Sequence, residues 1–182
     1  MNVFVLNAGR CGSTTWIQAC RHIRNYSAAH ESRIHLLGER RLAYPANHIE
    51  ADNRLSWFLG RLDRQYGDDA FYLHLTRDRD ASASSFSARS GFGIMKAYRE
   101  GILLHGEQGH PPRELALDYL DTIDSNIALF LKDKRHQMRV SLESAKQDFP
   151  RFWQWIGAEG DLERALAEFD ICYNRSVTPA PR

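Results

Sequence analysis

The arrangement of the first twenty residues constrains the fold of this chain more than any other feature. Residues 3–6 form a short, uninterrupted apolar run, which is typical of a strand buried in a parallel sheet. A turn of small residues follows over 7–12, and from Ser13 onward Trp16 and Cys20 recur at helical spacing. A strand, a glycine turn and a helix in this order form half of a βαβ unit. The N-terminal residues therefore predict an α/β fold.

Strands and helices continue to alternate along the rest of the chain. Two further strands are predicted over 70–75 and 138–142. Apolar residues at helical spacing predict further helices over five segments: 51–66, 80–89, 111–130, 152–156 and 162–169. Residues 25–48 carry no clear pattern, and the proline-containing tail over 174–182 is expected to be loose. We therefore expect a single three-layer domain over 1–182, with a mainly parallel central sheet.

Composition excludes several classes of function. The 24 basic and 23 acidic residues leave a net charge of +1, which argues against a nucleic-acid partner. No apolar stretch approaches the roughly 20 residues that span a bilayer, so no membrane partner is expected. The eight histidines form no zinc-binding motif, and no metal is expected. The cysteines form no close pair and indicate reduced thiols in the cytoplasm: Cys11, Cys20 and Cys172.

The glycine turn after the first strand is predicted to bind a phosphate-like anion. Glycines let backbone N–H groups turn towards an anion, and the helix N-terminus adds the positive end of its dipole. The hydroxyls of Ser13, Thr14 and Thr15 can donate further hydrogen bonds. A Walker A loop requires Lys directly after its last glycine, but Ser13 follows Gly12 and the positive charge is Arg10. The loop therefore resembles a P-loop, but its sequence argues against a site for ATP and magnesium. The alternative to an anion site is a plain glycine turn with Arg10 in solvent.

A second candidate anion site follows the strand predicted over 70–75. Arg77 stands at the end of this strand, and Ser85 stands eight residues later, in the next predicted helix. An arginine at a strand end can hold a phosphate dianion with two hydrogen bonds, and a serine in the following helix can point back at it. The alternative is an ordinary charged helix start, with Asp78 and Asp80 at its positive end. Because parallel strands end at one edge of the sheet, both candidate sites are expected there.

These two segments resemble the PAPS-dependent sulfotransferases, which use 3′-phosphoadenosine 5′-phosphosulfate (PAPS) as sulfuryl donor. Residues 10–14 match the family's 5′-phosphosulfate loop, which has Lys or Arg, any residue, Gly, then two of Ser or Thr. Arg77 and Ser85 match the spacing of its 3′-phosphate site. The resemblance implies the following nucleotide-binding residues: Arg10, Cys11, Gly12, Ser13, Thr14, Thr15, Arg77 and Ser85.

This chain departs from the family pattern at three positions and in length. Many members have Lys at the position of Arg10, Ser or Thr at that of Cys11, and Pro at that of Arg79. The first change keeps the charge, and the second removes at most one hydroxyl donor. The chain is also shorter than typical members, so we expect reduced substrate-binding insertions.

The resemblance implies an in-line transfer of the sulfuryl group to a hydroxyl or amine of a small-molecule or carbohydrate acceptor. Such a transfer depends mainly on positioning and electrostatics, and it requires no metal. Arg10 is expected to stabilise the charge that develops on the leaving 5′-phosphate, with help from the loop N–H groups. The product would be adenosine 3′,5′-bisphosphate (PAP).

The acceptor also requires a general base. Tyrosylprotein and carbohydrate sulfotransferases use a Glu about twenty residues beyond the loop, which Glu31 matches, and Arg33 is a candidate to orient it or to hold an anionic acceptor. Small-molecule members use a His further along, for which His48 is the rival. Arg54 is a third candidate contact for the acceptor. The other candidate bases in this region are His22, His30, His35, Glu39 and Glu50.

Two other functions remain open at this point. One is a small nucleotide or sugar kinase with a degenerate phosphate loop, against which the missing Walker lysine counts. The other is a nucleotide-binding protein without chemistry. The sequence does not name the acceptor.

Overall fold

A single parallel sheet forms the centre of the molecule. The computed structural model describes residues 1–105, 109–171 and 173. The strands of this sheet are β1 (Asn2–Leu6), β2 (Ser27–His30), β3 (His48–Ala51), β4 (Ala70–Thr76) and β5 (Gln137–Ser141). Their order is β2-β3-β1-β4-β5, and every neighbouring pair is parallel. The predicted α/β fold with a parallel sheet is confirmed.

Helices cover both faces of this sheet. Among the described residues they are α1 (Ser13–Cys20), α2 (Leu59–Tyr66), α3 (Arg79–Ser87), α4 (Gly93–Ala97), α5 (Pro112–Leu131), α6 (Ala145–Trp155) and α7 (Leu162–Ala167). Short turns of 3₁₀ helix occur at Gly38–Arg41, Asn53–Trp57 and Glu168–Asp170, and a π-helical turn at Tyr98–Ile102. The longest helix, α5, begins at Pro112, where a proline costs no hydrogen bond.

The two hydrophobic cores follow from the alternation of side chains along β1. Val3 and Val5 point to one face, where they pack with Trp16 and with residues of α6 and α7. Phe4 and Leu6 point to the other face, where residues of α2, α3 and α5 cover them. All four strand residues are fully buried, as a strand between two helical layers requires. The predicted three-layer arrangement is therefore confirmed.

One predicted helix is wrong in its first half. The helix expected over 51–66 begins only at Leu59, because Ala51 ends β3 and pairs with Val5 of β1. Asp52 then accepts a hydrogen bond from the backbone N–H of Arg54 at 2.9 Å and starts a 3₁₀ turn. Residues 25–48, which carried no prediction, contain β2 and the first residue of β3.

The other predicted elements lie close to their expected positions. The strands β1, β4 and β5 match within one or two residues, whereas α6 is longer than predicted and begins at Ala145. The expected loose tail over 174–182 and Cys172 lie outside the described residues. Within the part of the chain that the structure describes, no helix is both long and apolar enough to cross a bilayer.

Candidate functional site

The glycine loop between β1 and α1 has the backbone of an anion-binding turn. Gly9, Arg10 and Gly12 all have positive φ angles, of 97°, 57° and 83°. The side chain of Asn7 accepts a hydrogen bond from the backbone N–H of Gly9 at 2.9 Å and closes the first bend. The loop ends at the N-terminus of α1, where backbone N–H groups have no partner within the helix. The local structure therefore presents donors at the carboxyl edge of the sheet.

Two distant segments hold the loop in this shape. Gly12 has a φ angle of 83°, which favours glycine, and a Cβ atom there would also displace the side chain of Leu142, just beyond β5. The buried hydroxyl of Tyr119, on α5, donates a hydrogen bond to the carbonyl of Ala8 at 2.8 Å. Burial raises the pKa of Tyr119, which keeps the hydroxyl protonated as this donor. The loop is consequently pre-shaped by contacts from the second half of the chain.

The two motifs identified in the sequence meet at this edge. The guanidinium Nε of Arg10 donates a hydrogen bond to the hydroxyl of Ser85, on α3, at 2.9 Å. Arg77, directly after β4, donates from Nη1 to the backbone carbonyl of Arg10 at 3.2 Å. Residues separated by 67 and 75 positions along the chain thus form one group.

Positive charges lie near one another in this group. Burial, followed by the like charges of Arg89 and Arg77, lowers the pKa of Arg10. An anion between these guanidinium groups would reverse the effect of the like charges. Arg89 did not emerge from the sequence as a site residue. It lies in the turn just beyond α3, four residues after Ser85, and no local pattern in the sequence sets it apart from other exposed arginines.

The remaining residues of the first motif differ in what they offer a ligand. The side chain of Cys11 is buried in the core, and burial raises the pKa of its thiol to about 12. Cys11 can therefore contact a ligand only through its backbone. Ser13 and Thr14 are half-buried, whereas Thr15 is buried. Of the three hydroxyl residues, Ser13 and Thr14 are the more accessible to a bound anion.

On the other side of the loop, His30 contacts Ser13. Its Nε2 lies 3.0 Å from the Ser13 hydroxyl, and His30 is the last residue of β2. The carboxyl end of β2 therefore reaches the glycine loop through this side chain. The sequence had placed His30 only among several possible bases.

Glu31 follows His30 and is paired with Arg54. Its carboxylate lies 3.1 Å from Nη1 of Arg54, and about a third of each side chain is exposed. The φ angle of 52° at Glu31 marks the turn that leaves β2. The structure thus brings Glu31 and Arg54 together at the carboxyl edge, near the side chain that contacts the loop.

The structure does not bring Arg33 or His48 to this group. Arg33 donates to the carbonyl of Arg40 at 3.0 Å and lies over the ring of Tyr44, and the arginine that pairs with Glu31 is Arg54. His48 begins β3, at the opposite, amino edge of the sheet. Its ring nitrogens lie 2.7 Å from the Ser27 hydroxyl and 3.0 Å from a Glu50 carboxylate oxygen. This enclosure far from the loop corrects the expectation that His48 contacts the acceptor.

Two further carboxylates near β3 are fully buried and bonded within the protein. Glu50 accepts hydrogen bonds from the backbone N–H and the hydroxyl of Ser32, both at 2.7 Å. Asp52 pairs with Arg41, which is itself buried and also donates to the hydroxyl of Tyr44. Bonded in this way, these carboxylates stabilise the turns around β3.

Comparisons with known proteins agree with this geometry. No family model matches the chain, and no curated protein matches it. A sulfotransferase domain from the curacin biosynthetic pathway is similar over 90% of this chain and 75% of its own, with a TM-score of 0.68 and 14% identity. A sulfotransferase from Alicyclobacillus acidocaldarius is similar over 98% of this chain and 86% of its own, with a TM-score of 0.60 and 12% identity.

A mouse sulfotransferase complexed with PAP is similar over 92% of this chain but only 64% of its own, with a TM-score of 0.56 and 12% identity. The chain thus spans somewhat less than two thirds of the mouse protein. All three similar structures are sulfotransferases, and at these identities the likeness concerns the fold. The resemblance read from the two motifs is confirmed at that level: this chain has the sulfotransferase fold.

Proposed function

We propose that this protein is a PAPS-dependent sulfotransferase that acts on a hydroxyl or amine of a small-molecule or carbohydrate acceptor. The observation that carries the proposal is the 2.9 Å hydrogen bond between Arg10 and Ser85, because it joins the two motifs of the resemblance in one group. The mouse protein of the same fold, complexed with PAP, supports the choice of nucleotide. We place the activity in the cytoplasm, since the free thiols of Cys11 and Cys20 suit a reducing compartment.

The side chains at the site fit a nucleotide with phosphates at both ends of its ribose. The loop offers backbone N–H groups and the hydroxyls of Ser13 and Thr14, which suit the 5′-phosphosulfate. Arg77 and Ser85 would hold the 3′-phosphate. Contacts of the loop with Leu142 and Tyr119 fix its shape before a ligand binds, which lowers the cost of binding.

In the proposed reaction the protein positions the reactants and stabilises charge. PAPS supplies the sulfuryl group, already activated by its bond to the 5′-phosphate. The guanidinium of Arg10 stabilises the negative charge that develops on the leaving phosphate, and the N–H groups of 12–14 hold non-bridging oxygens. A cation already present at the leaving group removes the need for a metal there.

We assign the role of general base to Glu31. Its carboxylate is partly exposed at the carboxyl edge, and Arg54 fixes its direction at 3.1 Å. Glu31 would accept the proton of the acceptor as the new bond to sulfur forms. His30 is assigned to orienting the Ser13 hydroxyl, because its ring contacts that hydroxyl at 3.0 Å.

The proposal is tested by an acceptor screen with radiolabelled PAPS, preceded by a thermal-shift measurement with PAP. We expect PAP to raise the melting temperature, because it binds only the folded chain, and the label to appear on at least one hydroxyl or amine acceptor. Turnover of ATP with magnesium and no effect of PAP would favour a kinase instead. Binding of PAP with no transfer to any acceptor class would favour a non-catalytic nucleotide-binding protein.

A further inference from the structure

The turn that carries Glu31 is held on both sides by β3. The backbone N–H of Glu31 donates to the carbonyl of Ala51 at 3.0 Å, which continues the pairing of β2 with β3 just beyond His30. The next residue, Ser32, is held by a side chain, because its backbone N–H and its hydroxyl each donate to the carboxylate of Glu50 at 2.7 Å. The two peptide groups that flank the α-carbon of Glu31 are therefore both fixed to the same strand.

The backbone conformation of Glu31 requires such support. Its φ angle of 52° lies in the left-handed region, which residues with a side chain rarely adopt. A strained conformation of this kind persists only where the surrounding structure holds it, and it is typical of functional sites. Without the bonds to Ser32, the turn would relax and the Glu31 carboxylate would leave its place beside Arg54, which it contacts at 3.1 Å. The contacts between Ser32 and Glu50 thus set the direction of Glu31.

The side chain of Glu50 is suited to hold this turn firmly. It is fully buried, and a buried carboxylate lowers stability unless hydrogen bonds compensate for the lost water. The oxygen that accepts the Ser32 hydroxyl also lies 3.0 Å from Nε2 of His48. Hydrogen bonds from a backbone N–H to a carboxylate are shorter and stronger than those to a neutral acceptor. A carboxylate here therefore restricts the turn more than a neutral side chain would.

We propose that Glu50 is a positioning residue for the transfer reaction, and that by holding Ser32 it keeps the Glu31 carboxylate directed towards the acceptor. This inference rests on the proposed function and deepens it. Because Glu50 is buried, it acts only through the turn and touches neither nucleotide nor acceptor. A misplacement of about 1 Å in a reacting group can lower a rate by a large factor. Loss of Glu50 should therefore lower kcat and leave the affinity for PAP unchanged.

The test compares kcat and the dissociation constant of PAP in Glu50→Met and Glu50→Gln. Methionine has a similar length and packs adaptably, but it gives Ser32 no oxygen acceptor. Glutamine keeps an acceptor oxygen for the Ser32 N–H and removes the charge. We expect kcat to fall about tenfold in Glu50→Met and less in Glu50→Gln, with the same affinity for PAP in both. Steady-state kinetics and calorimetry, well below the melting temperature of each variant, measure the two quantities.

The matched control is Glu168→Met. Like Glu50, Glu168 contacts a histidine Nε2, that of His22 at 2.9 Å, and it accepts a hydrogen bond from a hydroxyl, that of Tyr173. His22 follows the end of α1 that is remote from the glycine loop. Any loss of stability in this variant should leave kcat unchanged. If Glu168→Met and Glu50→Met lose kcat equally, the effect is one of general stability and the inference is wrong.

A double variant shows whether Glu50 acts through Glu31. In Glu31→Gln the base is already absent, so adding Glu50→Met should lower kcat no further. A further tenfold loss would overturn the inference, because Glu50 would then act on another group. A normal kcat in Glu50→Met alone would also overturn it and would leave the proposed function intact. If the unchanged protein transfers no sulfuryl group to any acceptor, the proposed function fails and the inference fails with it.

Ser32→Ala covers the case in which Glu50→Met does not fold. Ser32 is exposed, and its alanine variant loses only the hydroxyl bond to Glu50. We expect kcat to fall about threefold at unchanged affinity for PAP, with no further loss when Glu31→Gln is also present. A kcat equal to that of the unchanged protein would contradict the role of Glu50.

Discussion

The two halves of the sheet's carboxyl edge differ in how their charges are balanced. Beside β1 and β4, Arg10 donates to the Ser85 hydroxyl and Arg77 donates to the backbone carbonyl of Arg10. Within the part of the chain that the structure describes, Arg77 forms no ion pair with a carboxylate. Beside β2 and β3, each of three carboxylates has a partner within the protein: Glu31, Glu50 and Asp52. In the proposed function an anion completes the first half, whereas the carboxylates of the second half already have partners within the protein.

This difference distinguishes a region suited to binding a ligand, beside β1 and β4, from a region that stabilises the fold, beside β2 and β3. Polar groups that neutralise each other stabilise a fold and its turns, while like charges left together reduce stability until a ligand arrives. Glu31 is the intermediate case, because its pair with Arg54 is partly exposed to solvent. The following predictions test the two halves separately.

The largest effect is expected from breaking the buried pair of Asp52 and Arg41. Asp52→Asn keeps the size and the hydrogen bond to the Arg54 backbone N–H, but it leaves Arg41 buried without a counter-charge. We expect a loss of about 3 kcal/mol in the free energy of unfolding, measured with urea.

The control for this change is Asp121→Asn, which removes the partner of Arg79 in an exposed pair. Solvent screens that pair, because more than half of each side chain is exposed, so the loss should be much smaller. Equal losses for the two variants would show that the β2–β3 half is not held by its buried charges.

The next largest effect is expected on turnover, from Glu31→Gln. This variant keeps the size of the side chain and removes its basicity, so kcat should fall about a hundredfold or more while the affinity for PAP stays unchanged. Steady-state kinetics and calorimetry on the same preparation measure the two quantities. His48→Asn, at the amino edge, should change kcat much less. If Glu31→Gln keeps near-normal turnover and His30→Asn is inactive, the general base is His30 and not Glu31.

A smaller effect is expected on nucleotide choice, from Arg77→Ala. The unchanged protein should bind PAP at least about tenfold more tightly than AMP, and the variant should lose most of that preference. Calorimetry with both ligands measures it. Equal affinities of the unchanged protein for PAP and AMP would show that the β1–β4 half does not bind the 3′-phosphate.

No effect is expected from a chelator. In the proposed reaction Arg10 provides the positive charge at the leaving phosphate, so sulfuryl transfer measured with radiolabelled PAPS should be the same with and without EDTA. Activity that disappears with EDTA and returns with magnesium would contradict this role of Arg10 and favour a kinase.

The sequence allowed better predictions for the β1–β4 half than for the other. The loop motif is contiguous, and the pattern of an apolar run, glycines and a helix start is local, so β1, α1 and the roles proposed for 10–14 could be read directly. Arg77 and Ser85 were found by their spacing. The charge of Arg89 near Arg10 was not predicted, because an exposed arginine just beyond a helix has no local feature that distinguishes it from other surface arginines.

The β2–β3 half depends on contacts that no local pattern records. Both strands have only four residues, which is too short for a clear pattern in the sequence. His48 and Glu50 also make the sequence of β3 look polar, although both side chains are buried. Their burial is possible because Ser27 and Ser32, far away in sequence, supply hydrogen-bond partners. The pairing of Glu31 with Arg54 rather than with nearby Arg33 likewise depends on the parallel alignment of β2 and β3.

The supports of the glycine loop have a consequence for the order of events during protein synthesis. The shape of the loop depends on Tyr119 and Leu142, which are translated more than a hundred residues after it. A nascent chain that ends before Leu142 has the complete 5′ motif without the packing that gives it its shape. The loop therefore leaves the ribosome well before the residues that complete its mature conformation.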